Sequence, residues 1–83
     1  MTVEQAVLGV LISYLSRGIK RVPVFEVEQA HEKHRLSGRA RLRGLRVKGL
    51  VSYKYCSDDN TYEILSSLND LHESWRKLTG KPI

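Results

Sequence analysis

One cysteine, two prolines, one tryptophan and one phenylalanine occur in the 83 residues, and these scarcities narrow the field. A lone thiol, Cys56, has no intramolecular partner, so the chain is not a disulfide-stapled scaffold and fits a reducing compartment. Long apolar runs are missing too. The longest, residues 6–12, is interrupted by Gly9 and falls far short of the ~20 residues a bilayer span needs. Glu4 is the only charge ahead of that run, and no small-residue cleavage site follows Tyr14 and Leu15, so no secretory signal is expected and the chain reads as cytoplasmic. Catalytic patterns are absent as well: there is no phosphate-cradling glycine loop, no Ser-His-Asp arrangement and no pair of acids on one helix face. His31, His34, Cys56 and His72 lack the paired spacing of a zinc site, and Asp58-Asp59-Asn60 lacks the glycine and distal glutamate of a calcium loop. The expectation is a protein that is not an enzyme, with no metal, no cofactor, no small-molecule ligand and no membrane partner.

Acid is scarcest where base is richest. Residues 31–50 hold Lys33, Arg35, Arg39, Arg41, Arg43, Arg46 and Lys48 against Glu32 alone, whereas both flanking stretches are nearly neutral. The formal net charge of +5 is therefore concentrated in one element. A basic stripe so confined is the electrostatic footprint of polyanion binding.

Length and composition fit one domain, residues 1–83, with an ordinary hydrophobic fraction of 41%. Thr2-Val3-Glu4-Gln5 has the form of a capping box. Val3, Val7, Val10, Leu11, Tyr14 and Leu15 then recur at helical spacing up to the stop at Arg17-Gly18, which predicts a first helix over about 3–17. Residues 19–22, ended by Pro23, suit a brief edge strand. Val27, Ala30 and His34 predict a second helix from Pro23 to about His34. Ser37 is the expected N-cap of a third helix over about 37–48, closed by Gly49. Val51, Tyr53 and Tyr55 alternate with Ser52, Lys54 and Cys56, and Tyr62 and Ile64 share a face after the turn at residues 57–60, so a hairpin is expected over about 50–65. Ser67 caps a last helix, about 67–79, with Leu68, Leu71, Trp75 and Leu78 as its apolar stripe before Gly80-Lys81-Pro82. The class is α+β.

The segment Leu42-Arg43-Gly44-Leu45-Arg46-Val47-Lys48-Gly49-Leu50-Val51, followed by a hairpin, resembles the recognition-helix ending of the winged helix-turn-helix superfamily, and the likeness extends over roughly residues 3–66. It implies a three-helix core with a short strand, a β-hairpin wing and here an additional C-terminal helix. It also implies sequence-specific binding of double-stranded DNA, as in a small transcriptional regulator. Gly38 stands where a larger core residue is usual, and Asp58 and Asp59 occupy the tip of the wing, where they would repel phosphates.

On a helical wheel Gly38, Leu42, Leu45 and Gly49 fall on the core side. Ala40, Gly44 and Val47 then centre the outward face, with Arg39, Arg43 and Arg46 along one flank and Arg41 and Lys48 along the other. Small central residues let such a helix approach a major groove closely, Ala40 or Val47 can meet a thymine methyl, and Arg43 is expected to read a base edge. Lys33, Arg35 and Lys54 flank the helix as phosphate contacts, and Ser37 at its start belongs to the DNA-binding set. The stripe of Leu68, Leu71, Trp75 and Leu78 predicts packing on the first helix, and with it a two-fold dimer seam that would set two recognition helices about 34 Å apart. Two other readings fit: an interaction module presenting the acidic tip with Tyr53, Tyr55 and Tyr62, or the DNA-binding piece of a larger replication, recombination or restriction protein, with Gly80-Lys81-Pro82-Ile83 as a linker.

Overall fold

Thr2 and Gln5 begin the first element as expected: the Gln5 amide donates to Thr2 Oγ1 at 3.1 Å while the Thr2 amide donates to Gln5 Oε1 at 3.0 Å. The structure, a computed structural model, describes residues 1–81. Its order is α1 (Val3–Ser16), β1 (Arg21–Pro23), α2 (Val24–Glu28), α3 (Gly38–Val47), β2 (Tyr53–Cys56), β3 (Thr61–Ile64) and α4 (Leu68–Thr79). This is an α+β arrangement of four helices and a three-stranded antiparallel sheet ordered β1-β3-β2. Pro23, which cannot donate to a ladder, lies on an edge strand opposite Thr61. No helix among the described residues is long and apolar enough to cross a membrane.

Val7, Leu8 and Leu11 of α1, Val22 of β1, Val27 of α2, Leu42 and Leu45 of α3 and Leu71 of α4 are fully buried in one cluster. Each such side chain contributes about 1.5–3 kcal/mol through removal of apolar surface from water. Leu8 and Ile12 extend the buried face of α1 beyond the predicted stripe. At α3 the amide of Leu50 reaches the Leu45 carbonyl and that of Gly49 the Arg46 carbonyl, a paired closure that requires the left-handed φ of +76° at Gly49. Gly49 is accordingly exposed beyond the helix end, not a core position, because the left-handed residue turns the chain off the helical wheel.

The second helix is shorter than its periodicity predicts, ending at Glu28 rather than near His34. The carbonyls that would propagate it are diverted: Val27 accepts from the Ala30 amide in a tightened turn, and Glu28 accepts from the Leu36 amide at 3.0 Å. Leu36 reverses the chain at φ +74° and is 76% exposed, and His34 is exposed with it. Ser37 precedes α3 but its side chain makes no capping bond, since its backbone is already helical, at φ −84° and ψ −14°, whereas an N-cap hydroxyl needs extended backbone to reach the free amides. Ser67, extended at ψ 163°, does cap α4 through the Asp70 amide.

α4 packs along α1, with Trp75 against Gly9. The Ser74 hydroxyl, buried, donates to the Leu50 carbonyl and ties this helix to the segment after α3. Leu71 is fully buried within the single chain and offers no surface to a second one, while Leu68, Trp75 and Leu78 are half-buried.

Candidate functional site

Burial of Leu42 and Leu45 sets the rotation of α3, and its outward half follows from that. Ala40 is exposed, Gly44 half-buried and Val47 81% exposed along the centre. Arg39, Arg41, Arg43 and Arg46 are exposed around it, and among the described residues none has a carboxylate within 4.0 Å. Four cations held that close, with no counter-charge, raise the local potential for any anion that approaches.

The two flanks differ. On one side Lys48 does not join the free charges: its Nζ lies 2.7 Å from Glu4 Oε2 at the start of α1. The acid that residues 31–50 largely lack arrives here from another element. On the other side the arginines meet the sheet. Arg39 Nε donates to the Tyr62 hydroxyl at 3.2 Å, and the Arg46 guanidinium stacks 4.6 Å from the centre of the Tyr53 ring. Tyr62 packs edge-on to Tyr53 and tilted against Tyr55. Arg39, Arg43 and Arg46 with Tyr53, Tyr55 and Tyr62 line a cleft of about 220 Å³. Burial pushes the Tyr53 phenol up despite the opposing charge of Arg46, so it stays protonated at neutral pH.

Of the flanking residues, Lys33 and Arg35 lie exposed on the irregular connection between α2 and α3. Lys54 faces Glu63 at 3.8 Å, so its charge is shared within the sheet. Ser37 is half-buried before α3. Tyr53 and Tyr62 are buried and Tyr55 is 50% exposed with its hydroxyl donating to Asn60 Oδ1, which leaves one tyrosine rather than three as outward surface.

The hairpin tip is not a loose acidic end. Asp59 accepts from the Thr61 hydroxyl at 2.7 Å and from Arg21 Nη1 at 2.9 Å. Cys56, Asp58 and Asp59 bring their ligand atoms within 4.8 Å of one another, but the Arg21 guanidinium already stands on the Asp59 carboxylate. Above all the Thr61 hydrogen bond, and then Arg21, hold the Asp59 carboxyl below its usual range. A carboxylate with a depressed folded pKa adds stability that is present above the unfolded value and is lost as pH falls through the folded one. The turn should therefore loosen only below about pH 4. Asp59→Asn should abolish that acid step, which an NMR pH titration of the amides of residues 57–60 would show; an unchanged acid transition in the variant would assign it to another group.

The tyrosine partners of the arginine flank were not anticipated from the sequence. The available signal was the i, i+4, i+7 spacing of Arg39, Arg43 and Arg46 together with tyrosines on both hairpin strands, but nothing local says that this flank faces those strands. Fold and site together define a small α+β domain with a basic, largely unneutralised helix face. Comparison with protein-family models, with curated proteins and with solved structures gave no match.

Proposed function

We propose that the protein is a winged helix-turn-helix domain that binds double-stranded DNA sequence-specifically, as a small transcriptional regulator, with α3 as its reading helix and the β2–β3 hairpin as its wing. The observation that carries this reading is the outward half of α3: four arginines without carboxylate partners among the described residues surround the uncharged strip of Ala40, Gly44 and Val47. A major groove about 12 Å wide admits a helix, and a strip without long side chains lets its backbone lie deep while arginines reach sideways. The helix-strand-helix-helix-hairpin-helix order and the sheet order β1-β3-β2 are in keeping with a winged helix. Asp59, folded onto Arg21, keeps the wing tip from acting as a phosphate contact.

In this reading Ala40, Val47 and Arg41 face the bases, while Lys33 and Arg35 meet phosphates from the α2–α3 connection. Lys48 and Lys54 contribute less, because Glu4 and Glu63 share their charges. A cytoplasmic homodimer through α1 and the half-buried Leu68, Trp75 and Leu78 remains part of the proposal. As for a linker to a larger protein, Pro82 and Ile83 lie outside the described residues. Burial of Tyr53 and Tyr62 disfavours the alternative of a tyrosine-faced interaction module.

Selection of bound duplexes from a random pool at near-physiological salt tests the reading. An enriched motif is expected, with two-fold symmetry if the regulator is a dimer. Recovery of duplexes no different from the starting pool would overturn sequence-specific reading.

A further inference from the structure

The cleft between α3 and the sheet is lined almost wholly by donors. Arg39, Arg43 and Arg46 contribute guanidiniums, Tyr53, Tyr55 and Tyr62 contribute phenols, and no carboxylate borders it. Tyr62 accepts from Arg39 and so keeps its own O–H proton to donate. Tyr53 is buried and has its hydroxyl protonated at neutral pH. Tyr55 is turned toward Asn60 and supplies the half-exposed aromatic rim. Two of the three arginines are already held, Arg39 by the Tyr62 hydroxyl and Arg46 by the Tyr53 ring, so little side-chain freedom is lost when they engage a ligand. Arg43, one turn beyond Arg39, has no hydrogen bond or ion pair with any described residue. It is the free arm of a cleft whose other donors are in place.

We propose that this cleft is a phosphate-binding site, in which Arg43 grips the phosphate in its planar fork while Arg39, Arg46 and the Tyr62 hydroxyl donate from the sides and floor. Bonds between guanidinium and phosphate are charge-assisted and about twice as strong as neutral ones, and the arginine fork matches two phosphate oxygens at once. The site deepens the DNA reading, on which one source of the phosphate, the duplex backbone, rests; the other source is a phosphomonoester, either a terminal phosphate or a phosphorylated small molecule. It assigns Arg43 to the backbone instead of to a base edge.

The test uses the full chain and simple probes. Dimethyl phosphate stands for a backbone diester and methyl phosphate for a monoester, each titrated against chloride at equal ionic strength while NMR follows the tyrosine rings and the arginine Nε–H signals. Saturable shifts at Tyr53, Tyr55, Tyr62 and the Arg39, Arg43 and Arg46 side chains are expected. Arg43→Ala should weaken the binding about tenfold, and Tyr62→Phe, which keeps the ring and removes one donor, should weaken it a few-fold. Preference for the diester, with the same signals moved by a short duplex, would support the backbone as source. Preference for the monoester, with a duplex leaving these signals unmoved, would support the cleft while counting against the DNA reading. Shifts no larger than with chloride, or equal shifts at Arg41 on the far flank, would overturn the site.

Discussion

Gly38→Ala is expected to destabilise the protein by roughly 3 kcal/mol or more, at the upper end of what overpacking costs. A β-carbon built at Gly38 falls 1.9 Å from the Val27 carbonyl oxygen and 2.7 Å from its carbon. Both atoms are backbone, so no side chain can rotate away and α2 would have to separate from α3. A domain of this size has on the order of 4–12 kcal/mol of stability in all. The melting temperature should then fall by about 12 °C or more. Thermal unfolding by circular dichroism checks this, and a variant that melts with the parent would show that the close approach of α2 and α3 is not a fixed part of the fold. The glycine that departs from the usual large core residue is thus what lets the two helices meet, and it seats α3 closely.

Replacing Arg39, Arg43 and Arg46 together with glutamine should lower affinity for duplex DNA by about 10²–10³-fold at 0.1 M salt, because the cleft phosphate loses all three of its charge-assisted arginine donors. The slope of log K against log salt should flatten by about one unit, because the cleft holds a single phosphate. Lys48→Gln should cost far less, since Glu4 already meets that charge. Circular dichroism of the triple variant guards against a folding artefact, because Arg39 and Arg46 also contact Tyr62 and Tyr53. A loss for Lys48→Gln equal, on the log scale, to one third of that for the triple variant would mean that net charge alone, not the arginine flank, holds the DNA.

What was legible in the sequence was local. The Thr2–Gln5 box, the stop at Gly18, the closure at Gly49 and the cap at Ser67 each depend on residues within a few positions of one another, and the hydrophobic periods of α1 and α4 find part of each buried face: Val7, Leu11 and Leu71 are fully buried, while Leu8, Ile12 and Ser74 are buried outside the predicted stripes. The end of α2 was not legible, because Ala30 and His34 continue the period of Val27 while the Leu36 amide, eight residues on, takes the Glu28 carbonyl. Charge pairing was hidden by the same distance: Glu4 and Lys48 are 44 residues apart, and Arg21 and Asp59 are 38 apart. At the site, the outward face of α3 followed from the wheel once Leu42 and Leu45 were taken as core. The cleft depended on how the helix lies against the hairpin, a relation that the spacing of Arg39, Arg43 and Arg46 does not contain.

The dependence of duplex affinity on salt bears most directly on the function proposed for α3. Three to five phosphate contacts, from the arginine cleft, Lys33 and Arg35 with lesser ones from Lys48 and Lys54, give a slope of log K against log salt between about −2.7 and −4.5. That steep fall is the expected result; a slope near zero, or affinity indifferent to the loss of the arginines, would contradict DNA binding by this helix.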